Sequence, residues 1–209
     1  MRFGKPAILG VLCTAILFLN GSPVRAVTTA ATRFVALNGS DSGNCTTRFS
    51  PCDTITYALD QASTNDTIAI ACGVYEESIT VDKSIAFVFD GVSSCQGIFD
   101  AVISPSAGRA VSIQNDSTVS FTGVVIANGS AGANDGGGML IAQGSTAILT
   151  DVTVRDSFAA SGAIRNQGTL TINGSTVSGN RVTVAGGGVH NSGTLEINDS
   201  TIAGNKADT

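Results

Sequence analysis

Apolar and polar residues alternate along the C-terminal half of the chain, and the same alternating pattern occurs there twice. Residues 161–180 and 186–205 align without a gap at an offset of 25, so that Leu170 maps to Leu195. An alternation with a period of two is typical of β-strands. Gly, Asn, Asp and Ser interrupt these strands after three to five residues, as turns require. A repeat of this length indicates a solenoid, in which each copy is one structural unit stacked on the next.

Two weaker copies precede this pair. Residues 147–157 repeat the apolar positions at an offset of 23, and residues 119–129 form a fainter copy. Because no segment of helix length separates the strands, the pattern predicts an all-β parallel β-helix whose coils, the full turns of the solenoid, contain about 23–28 residues. A β-sandwich also has short strands with turn signals, but the near-identity of successive copies argues against it. The positions expected to face the interior are Leu170, Ile172, Leu195 and Ile197.

A secretory signal peptide is predicted over residues 1–26. Arg2 and Lys5 precede an apolar run, and Val24-Arg25-Ala26 offers small residues for cleavage. The apolar run is too short to span a bilayer comfortably, and a buried N-terminal helix is the alternative. The sequence therefore predicts a secreted or cell-surface protein whose mature chain has no membrane span.

The charge of the chain disfavours a nucleic-acid partner. The sequence has 11 basic and 16 acidic residues, a net charge of −5, and loss of the three basic residues of the signal peptide makes it −8. A nucleic-acid partner requires a basic surface. Extracellular carbohydrate or a surface protein is the partner that we expect.

Four of the five cysteines lie after the predicted cleavage site. An even number in an exported chain suggests disulfides. Cys45 and Cys52 close a short loop, and Cys72 and Cys95 flank the first predicted coil, so we favour these two pairs among the three possible pairings. A zinc site is the alternative, but there is no close Cys-x-x-Cys pair, and His190, the one histidine, is distant in sequence. We predict no metal and no cofactor.

A cap is predicted ahead of the solenoid, over residues 27–66. Residues 33–37 form an opening strand, a turn-rich stretch follows at 38–44, and Asp53 caps a short helix whose apolar residues share one face. The end of a β-helix exposes an apolar core and unpaired strand edges, and a helix placed there covers both. The β-helix itself is predicted over residues 67–209.

A helix-then-strand pattern between residues 55 and 91 carries a family resemblance. Its residues are Ile55, Ala58, Leu59, Ala62, Asp66, Gly73, Tyr75, Glu77, Ile79, Lys83, Ile85 and Gly91. This pattern resembles the cap and first coils of the pectin-lyase-like right-handed β-helix superfamily. The C-terminal copies resemble polymorphic outer membrane protein-type repeats, because residues 161–164 match GGAI at three of four positions and residues 177–180 and 202–205 match FxxN with an aliphatic residue for Phe. The resemblance implies a right-handed parallel β-helix but selects no function, because the superfamily includes lyases, hydrolases, esterases and adhesins.

The catalytic motifs of the polysaccharide-active members are missing from the sequence. The hydrolases resemble one another in Asn-Thr-Asp, Asp-Asp and His-Gly motifs, and pectate-lyase-like sites need several Asp residues for calcium and a basic residue. Asp151 and Asp199 occupy equivalent repeat positions but should lie two coils apart. Glu77 belongs to a Gly-x-Tyr-x-Glu stretch shared with pectin methylesterases, and we expect it to form a structural turn. We therefore predict no catalytic residue.

Arg165 and His190 are the candidates for a surface site. They map to one column of the repeat, above Ala142, with Asp156 or Arg181 as possible neighbours. A solvated rim between glycine-rich turns is the simpler interpretation, because a lone histidine without a paired carboxylate is weak support for a site. Stacked asparagines should instead form hydrogen-bonded ladders between coils, and the pairs are Asn166 over Asn191 and Asn180 over Asn205.

The sequence as a whole favours an exported, non-catalytic β-helix repeat protein that acts as a cell-surface or extracellular binding and structural module, like an adhesin. The alternative is the N-terminal part of a polysaccharide-active enzyme, of the pectate lyase or glycoside hydrolase type, whose active site lies beyond residue 209. The chain stops straight after a full repeat, so we expect the solenoid to be truncated at its C-terminus.

Overall fold

The computed structural model describes residues 32–91 and 100–208. Within these ranges the chain is an all-β parallel solenoid of about five full turns and an incomplete last one, with one short helix. The β-helix predicted from the alternating pattern is therefore confirmed. The predicted signal peptide, residues 1–26, lies outside the described residues.

The elements follow the order of the coils. The cap contains β1 (Arg33–Val35) and α1 (Ile55–Gln61). The first coil contains β2 (Thr67–Ala71), β3 (Gly73–Tyr75) and β4 (Ile79–Val81). The second contains β5 (Ile85–Asp90), β6 (Ala101–Ile103) and β7 (Val111–Ile113). The third contains β8 (Thr118–Thr122), β9 (Val124–Ala127) and β10 (Met139–Ile141). The fourth coil contains β11 (Thr146–Thr150), β12 (Thr153–Arg155), β13 (Phe158–Ser161) and β14 (Ile164–Asn166). The fifth contains β15 (Thr169–Asn173), β16 (Thr176–Ser178), β17 (Arg181–Ala185) and β18 (Val189–Asn191). The last contains β19 (Thr194–Asn198), β20 (Thr201–Ala203) and β21 (Lys206–Ala207).

Equivalent strands of successive coils stack into parallel sheets. Sheet 1 has the order β1-β2-β5-β8-β11-β15-β19, sheet 2 has β3-β6-β9-β12-β16-β20, and sheet 3 has β4-β7-β10-β14-β18. A short fourth sheet, β13-β17-β21, lies between sheets 2 and 3 along the chain in the later coils. Every pair of named strands is parallel, and neighbouring strands in such sheets lie about 4.8 Å apart.

The register of sheet 1 agrees with the repeat alignment. Leu170 pairs with Leu195 and with Ala147, and Ala147 pairs with Val119. These pairings correspond to the offsets of 25 and 23 that the sequence predicts. Even the faintest copy, which begins at Val119, is therefore a coil of the same solenoid.

The first two coils depart from the predicted length of 23–28 residues. Thr67 pairs with Ala86 and Ala86 with Ser120, which are offsets of 19 and 34 residues. In the long coil, ten residues separate β5 from β6 and seven separate β6 from β7, whereas no connection in the short coil has more than three residues. Loop length varies because the loops lie outside the stacked sheets, whose register is fixed by burial of alternate side chains.

The interior contains stacked apolar side chains. Phe87 and Phe121 stack with ring centroids 4.9 Å apart, and Leu170 and Ile172 are fully buried. Ile197 occupies the same column as Ile172 but is 43% exposed, because no described strand pairs with β19 on its outer side. The inward direction that the sequence predicts is thus correct, while the burial of the last coil is incomplete.

A single left-handed residue turns the chain from sheet 1 to sheet 2 in four successive coils. These residues are Gly123, Asp151, Gly174 and Asp199, with φ values of 69°, 54°, 55° and 48°. Asp and Gly are among the residues that tolerate this conformation. At Gly174 a Cβ atom would lie 2.8 Å from Oδ1 of Asp151 below it, an end atom that the Asp151 side chain can move aside, so the positive φ is the main reason for glycine there. Asp151 and Asp199 are therefore corner residues, two coils apart as expected.

The cap covers the first coil. Strand β1 pairs with β2, and α1 packs against β1, β2 and β4 with Ile55, Ala58 and Leu59 buried. The N-cap of the helix is Thr54 and not Asp53 as predicted: the Thr54 hydroxyl accepts a hydrogen bond from the amide of Tyr57. The prediction failed by one residue because both side chains are suitable caps.

The predicted asparagine ladders are confirmed, and they are buried where a further coil lies above them. Nδ2 of Asn166 donates to Oδ1 of Asn191 at 2.6 Å, and Nδ2 of Asn180 donates to Oδ1 of Asn205 at 2.8 Å. Asn166 and Asn180 are almost fully buried. Buried amides require such partners, so these residues have a structural role.

Candidate functional site

The Gly-x-Tyr-x-Glu stretch holds the helix in place. The Glu77 carboxylate accepts hydrogen bonds from the amides of Ile55 and Thr56, both at 2.8 Å. These amides belong to the first turn of α1, which has no intrahelical acceptor for them. Tyr75 is buried and donates its hydroxyl to the carbonyl of Ala71 at 2.9 Å. Glu77 thus has a structural role, as expected from the sequence.

Burial also changes the acidity of Tyr75. Desolvation raises the pKa of its phenol well above the usual value, and the negative charges of Glu77 and Asp53 raise it further. The phenol is therefore neutral in the folded protein throughout the physiological range.

One of the two predicted disulfides is confirmed. Cys45 and Cys52 are bonded to each other, and both are buried within the cap. Cys72 is disulfide-bonded as well. Cys95 lies outside the described residues, so the Cys72–Cys95 pairing stays a prediction.

Arg165 and His190 lie side by side on the outer face of sheet 3. Arg165 of β14 pairs in register with His190 of β18, as the repeat predicts. The residue below Arg165 is Leu140 and not Ala142, so that part of the predicted column is wrong. The error of two residues arises because four residues connect β10 to β11, whereas two connect β14 to β15.

Asp135 is the acidic neighbour of this pair, which the sequence did not identify. Its Oδ2 atom lies 3.4 Å from Nε of Arg165. The two residues that the sequence suggested as neighbours are engaged elsewhere, since Asp156 pairs with Arg155 and Arg181 with Asp208. Asp135 lies in the long β9–β10 connection, whose path could not be derived from the repeat.

Arg109 anchors the connection that carries Asp135. Its Nε donates to the carbonyl of Gly136 at 2.8 Å, and its Nη2 donates to the carbonyl of Asp135 at 2.7 Å. Burial lowers the pKa of Arg109 and the Asp135 charge raises it, with burial the larger effect. We use the name basic corner for Arg109, Asp135, Arg165 and His190.

A second surface, the outer face of sheet 1, is polar and regular. Thr118, Thr146, Thr169 and Thr194 pair in register from coil to coil and form one column. We call the outward residues of β8, β11, β15 and β19 the polar face, and they are Thr118, Ser120, Thr122, Thr146, Ile148, Thr150, Thr169, Thr171, Asn173, Thr194, Glu196 and Asn198. The alternation in the sequence predicts that these threonines face away from the core, but it does not indicate a function for them.

A shallow depression adjoins the lower part of the polar face. Its volume is about 380 Å³, and its lining includes Asn65, Ser84, Thr118 and Ser120. The lining also includes Ile85, Ala86 and Ile148, so apolar groups as well as hydroxyl and amide groups continue from the strands into this depression.

Comparison with known proteins agrees with this architecture. Residues 79–208 match the protein family described as the right handed beta helix region. The chain belongs to the right-handed β-helix family. No curated protein and no solved structure matches the chain.

The described part of this β-helix contains neither a cluster of metal-ligating side chains nor a helix that could cross a membrane. In residues 32–91 and 100–208, no three His, Cys, Asp or Glu side chains lie close enough together to hold a metal ion. Over the same ranges no helix is both long and apolar enough to cross a membrane.

Proposed function

We propose that this β-helix protein is exported and acts outside the cell as a non-catalytic binding and structural module, in the manner of an adhesin. The observation that carries this proposal is the polar face, which aligns threonine, serine and asparagine side chains over four coils. The proposed partner is an extended, uncharged polysaccharide.

The chemistry of the polar face supports a neutral partner. Hydroxyl and amide groups both donate and accept hydrogen bonds, as sugar hydroxyls do. Glu196 is the one charged residue among the twelve of the polar face. Equivalent groups recur about every 4.8 Å along the solenoid axis, so a linear polymer can make the same contact repeatedly.

The acidic side chains of the described residues support a non-catalytic role, because several of them have structural partners. Asp41 accepts from the amides of Asp53 and Thr54, and Glu77 caps α1. Asp90 is buried and receives two hydrogen bonds from Arg48, at 2.8 and 3.0 Å. Glycoside hydrolysis instead requires two carboxylates that face a substrate.

Export is supported by the disulfide and by the predicted signal peptide. Disulfides such as Cys45–Cys52 persist in oxidising compartments, and a small secreted domain commonly has them.

The binding proposal is tested by pelleting the protein with insoluble cellulose, chitin and mannan. Thr171→Lys places a long charged side chain in the centre of the polar face. It should weaken binding to any polymer that pellets the wild-type protein about tenfold, a loss of about 1.4 kcal/mol of binding free energy. Thr176→Lys is the matched control, because Thr176 is equally half-buried, on the same coil, but faces outward from sheet 2. Equal binding by both variants, or no retention on any of the three polymers, would overturn the proposal.

A further inference from the structure

We infer that Arg165 and His190 form a second binding site, separate from the polar face, for a small organic monocarboxylate. This inference goes beyond the proposed function, because the basic corner lies on sheet 3 and the polysaccharide surface on sheet 1.

Arg165 differs from every other basic residue in the described ranges. The other seven Lys and Arg side chains each direct a nitrogen at an oxygen atom no more than 3.2 Å away, in a carbonyl or a carboxylate. The guanidinium of Arg165 has its nearest oxygen partner in Asp135, at 3.4 Å, and its side chain is only 15% exposed. Nε and Nη1 of Arg165 are buried and have no hydrogen-bond partner among the described residues.

His190, on the next coil, also has a buried nitrogen atom without a hydrogen-bond partner. Its Nδ1 atom is buried and likewise has no hydrogen-bond partner within residues 32–91 and 100–208. Arg165 and His190 pair in register, so their Cα atoms lie about 4.8 Å apart on one outer face. A buried polar atom that lacks a partner is costly, and such atoms in a native protein require an explanation. Adjacent nitrogen groups on two neighbouring strands indicate an oxygen-rich ligand.

The shape of the guanidinium favours a carboxylate. Its planar fork of N–H donors matches the two oxygens of a carboxylate, and such paired hydrogen bonds are among the strong ones in proteins. The imidazole beside it supplies a third nitrogen that can bond either oxygen, depending on its tautomer.

The local charge favours a single negative charge. The guanidinium of Arg165 lies beside the carboxylate of Asp135, and the charge of the same carboxylate acts on Arg109, which leaves one excess positive charge when the imidazole is neutral. A monoanion balances this charge, whereas a dianion would leave one excess negative charge. The chain as a whole has a net charge of −5, so general attraction does not bring anions to this surface.

The test uses the imidazole as its own reporter. His190 is the only histidine of the chain, so the imidazole C–H signals of the purified protein arise from one residue. Sodium acetate is titrated at constant pH and constant ionic strength. We expect a saturable shift of these signals in the wild-type protein and no saturable shift in Arg165→Gln. Arg165→Lys, which retains the charge but not the fork, should bind more weakly than wild type, and Arg155→Gln, a change on sheet 2, should bind like wild type.

Asp135→Asn provides an independent outcome, because it removes the charge that competes with the ligand. Acetate should bind this variant at least about fivefold more tightly than wild type. This is the factor by which one like charge about 4 Å away in water weakens binding. Backbone amide spectra establish that each variant is folded. A non-saturating shift in the wild type, an unchanged response in Arg165→Gln, or weaker binding by Asp135→Asn would overturn the inference. Inorganic phosphate that binds at pH 8 more tightly than acetate would overturn the assignment to a monocarboxylate.

Discussion

At the scale of the residue, the direction of a side chain decides what it contributes. Leu170 and Thr171 are neighbours on β15, but Leu170 is fully buried and Thr171 lies half-exposed on the polar face. Successive side chains of a strand point to opposite faces, so a shift of one residue would exchange these two environments.

Leu170→Ala should destabilise the protein by about 2–5 kcal/mol, because the change removes buried apolar surface and leaves a cavity. Thr171→Ala should change the free energy of unfolding by less than about 0.5 kcal/mol, because Thr171 is a surface residue. Urea denaturation followed by circular dichroism measures both. Equal losses for the two variants would mean that the register of β15 is wrong.

Tyr75 predicts how stability responds to alkaline pH. Its pKa is raised in the folded state and is about 10 when the chain is unfolded. The phenol therefore contributes stability below pH 10, and this contribution is lost as the pH rises above 10, because only the unfolded chain then releases the proton. The free energy of unfolding should fall with pH in this region more steeply for wild type than for Tyr75→Phe. Parallel curves for the two proteins between about pH 9 and 11 would contradict the assignment.

The residues of the basic corner mark the limit of sequence inference. The column of Arg165 and His190 followed from the repeat, because both residues lie in coils of nearly equal length. Asp135 and Arg109 did not follow, because the β9–β10 connection has no counterpart in the repeat that would fix its path. Contacts within a sheet could thus be predicted, whereas contacts made by an irregular loop could not.

At the scale of the element, α1 depends on partners outside itself. The helix has only seven residues, and isolated helices of that length are unstable in water. Its burial against the first coil, its Thr54 cap and the Glu77 carboxylate together stabilise it.

Glu77→Gln should destabilise the protein by about 1 kcal/mol, since it removes a charged acceptor from two amides at a helix N-terminus. Glu76→Gln is the matched control, because the neighbouring Glu76 is exposed, and it should change stability by less than about 0.5 kcal/mol. Thermal unfolding of the two variants measures the difference. Indistinguishable transitions would exclude a capping role for Glu77.

The cysteines predict a second covalent link across the first coil. Cys72 is disulfide-bonded, and we expect its partner to be Cys95, because Cys45 and Cys52 are bonded to each other. Peptide mapping of the secreted protein without reduction should find a Cys72–Cys95 peptide. A free thiol at Cys95 in the mature protein, or a different pairing, would refute this prediction.

At the scale of the whole molecule, the fold was predictable because the core repeats. Val119, Ala147, Leu170 and Leu195 form one interior column, and their spacing in the sequence follows directly from the stacking of coils. The lengths of the first two coils were not predictable, because nothing in the repeat constrains the connections around β6. The polar face was present in the same alternation, but its significance depended on seeing four coils in register.

The central claim is that this β-helix binds an extracellular polysaccharide and does not cleave it. Both properties can be measured in one incubation of the purified protein with cellulose, chitin or mannan, with and without calcium. We predict that the protein leaves the supernatant with at least one polymer while no soluble sugar or new reducing end accumulates above a blank. Released product would contradict the claim and favour the enzyme alternative, and a protein that stays in solution with all three polymers would contradict it as well.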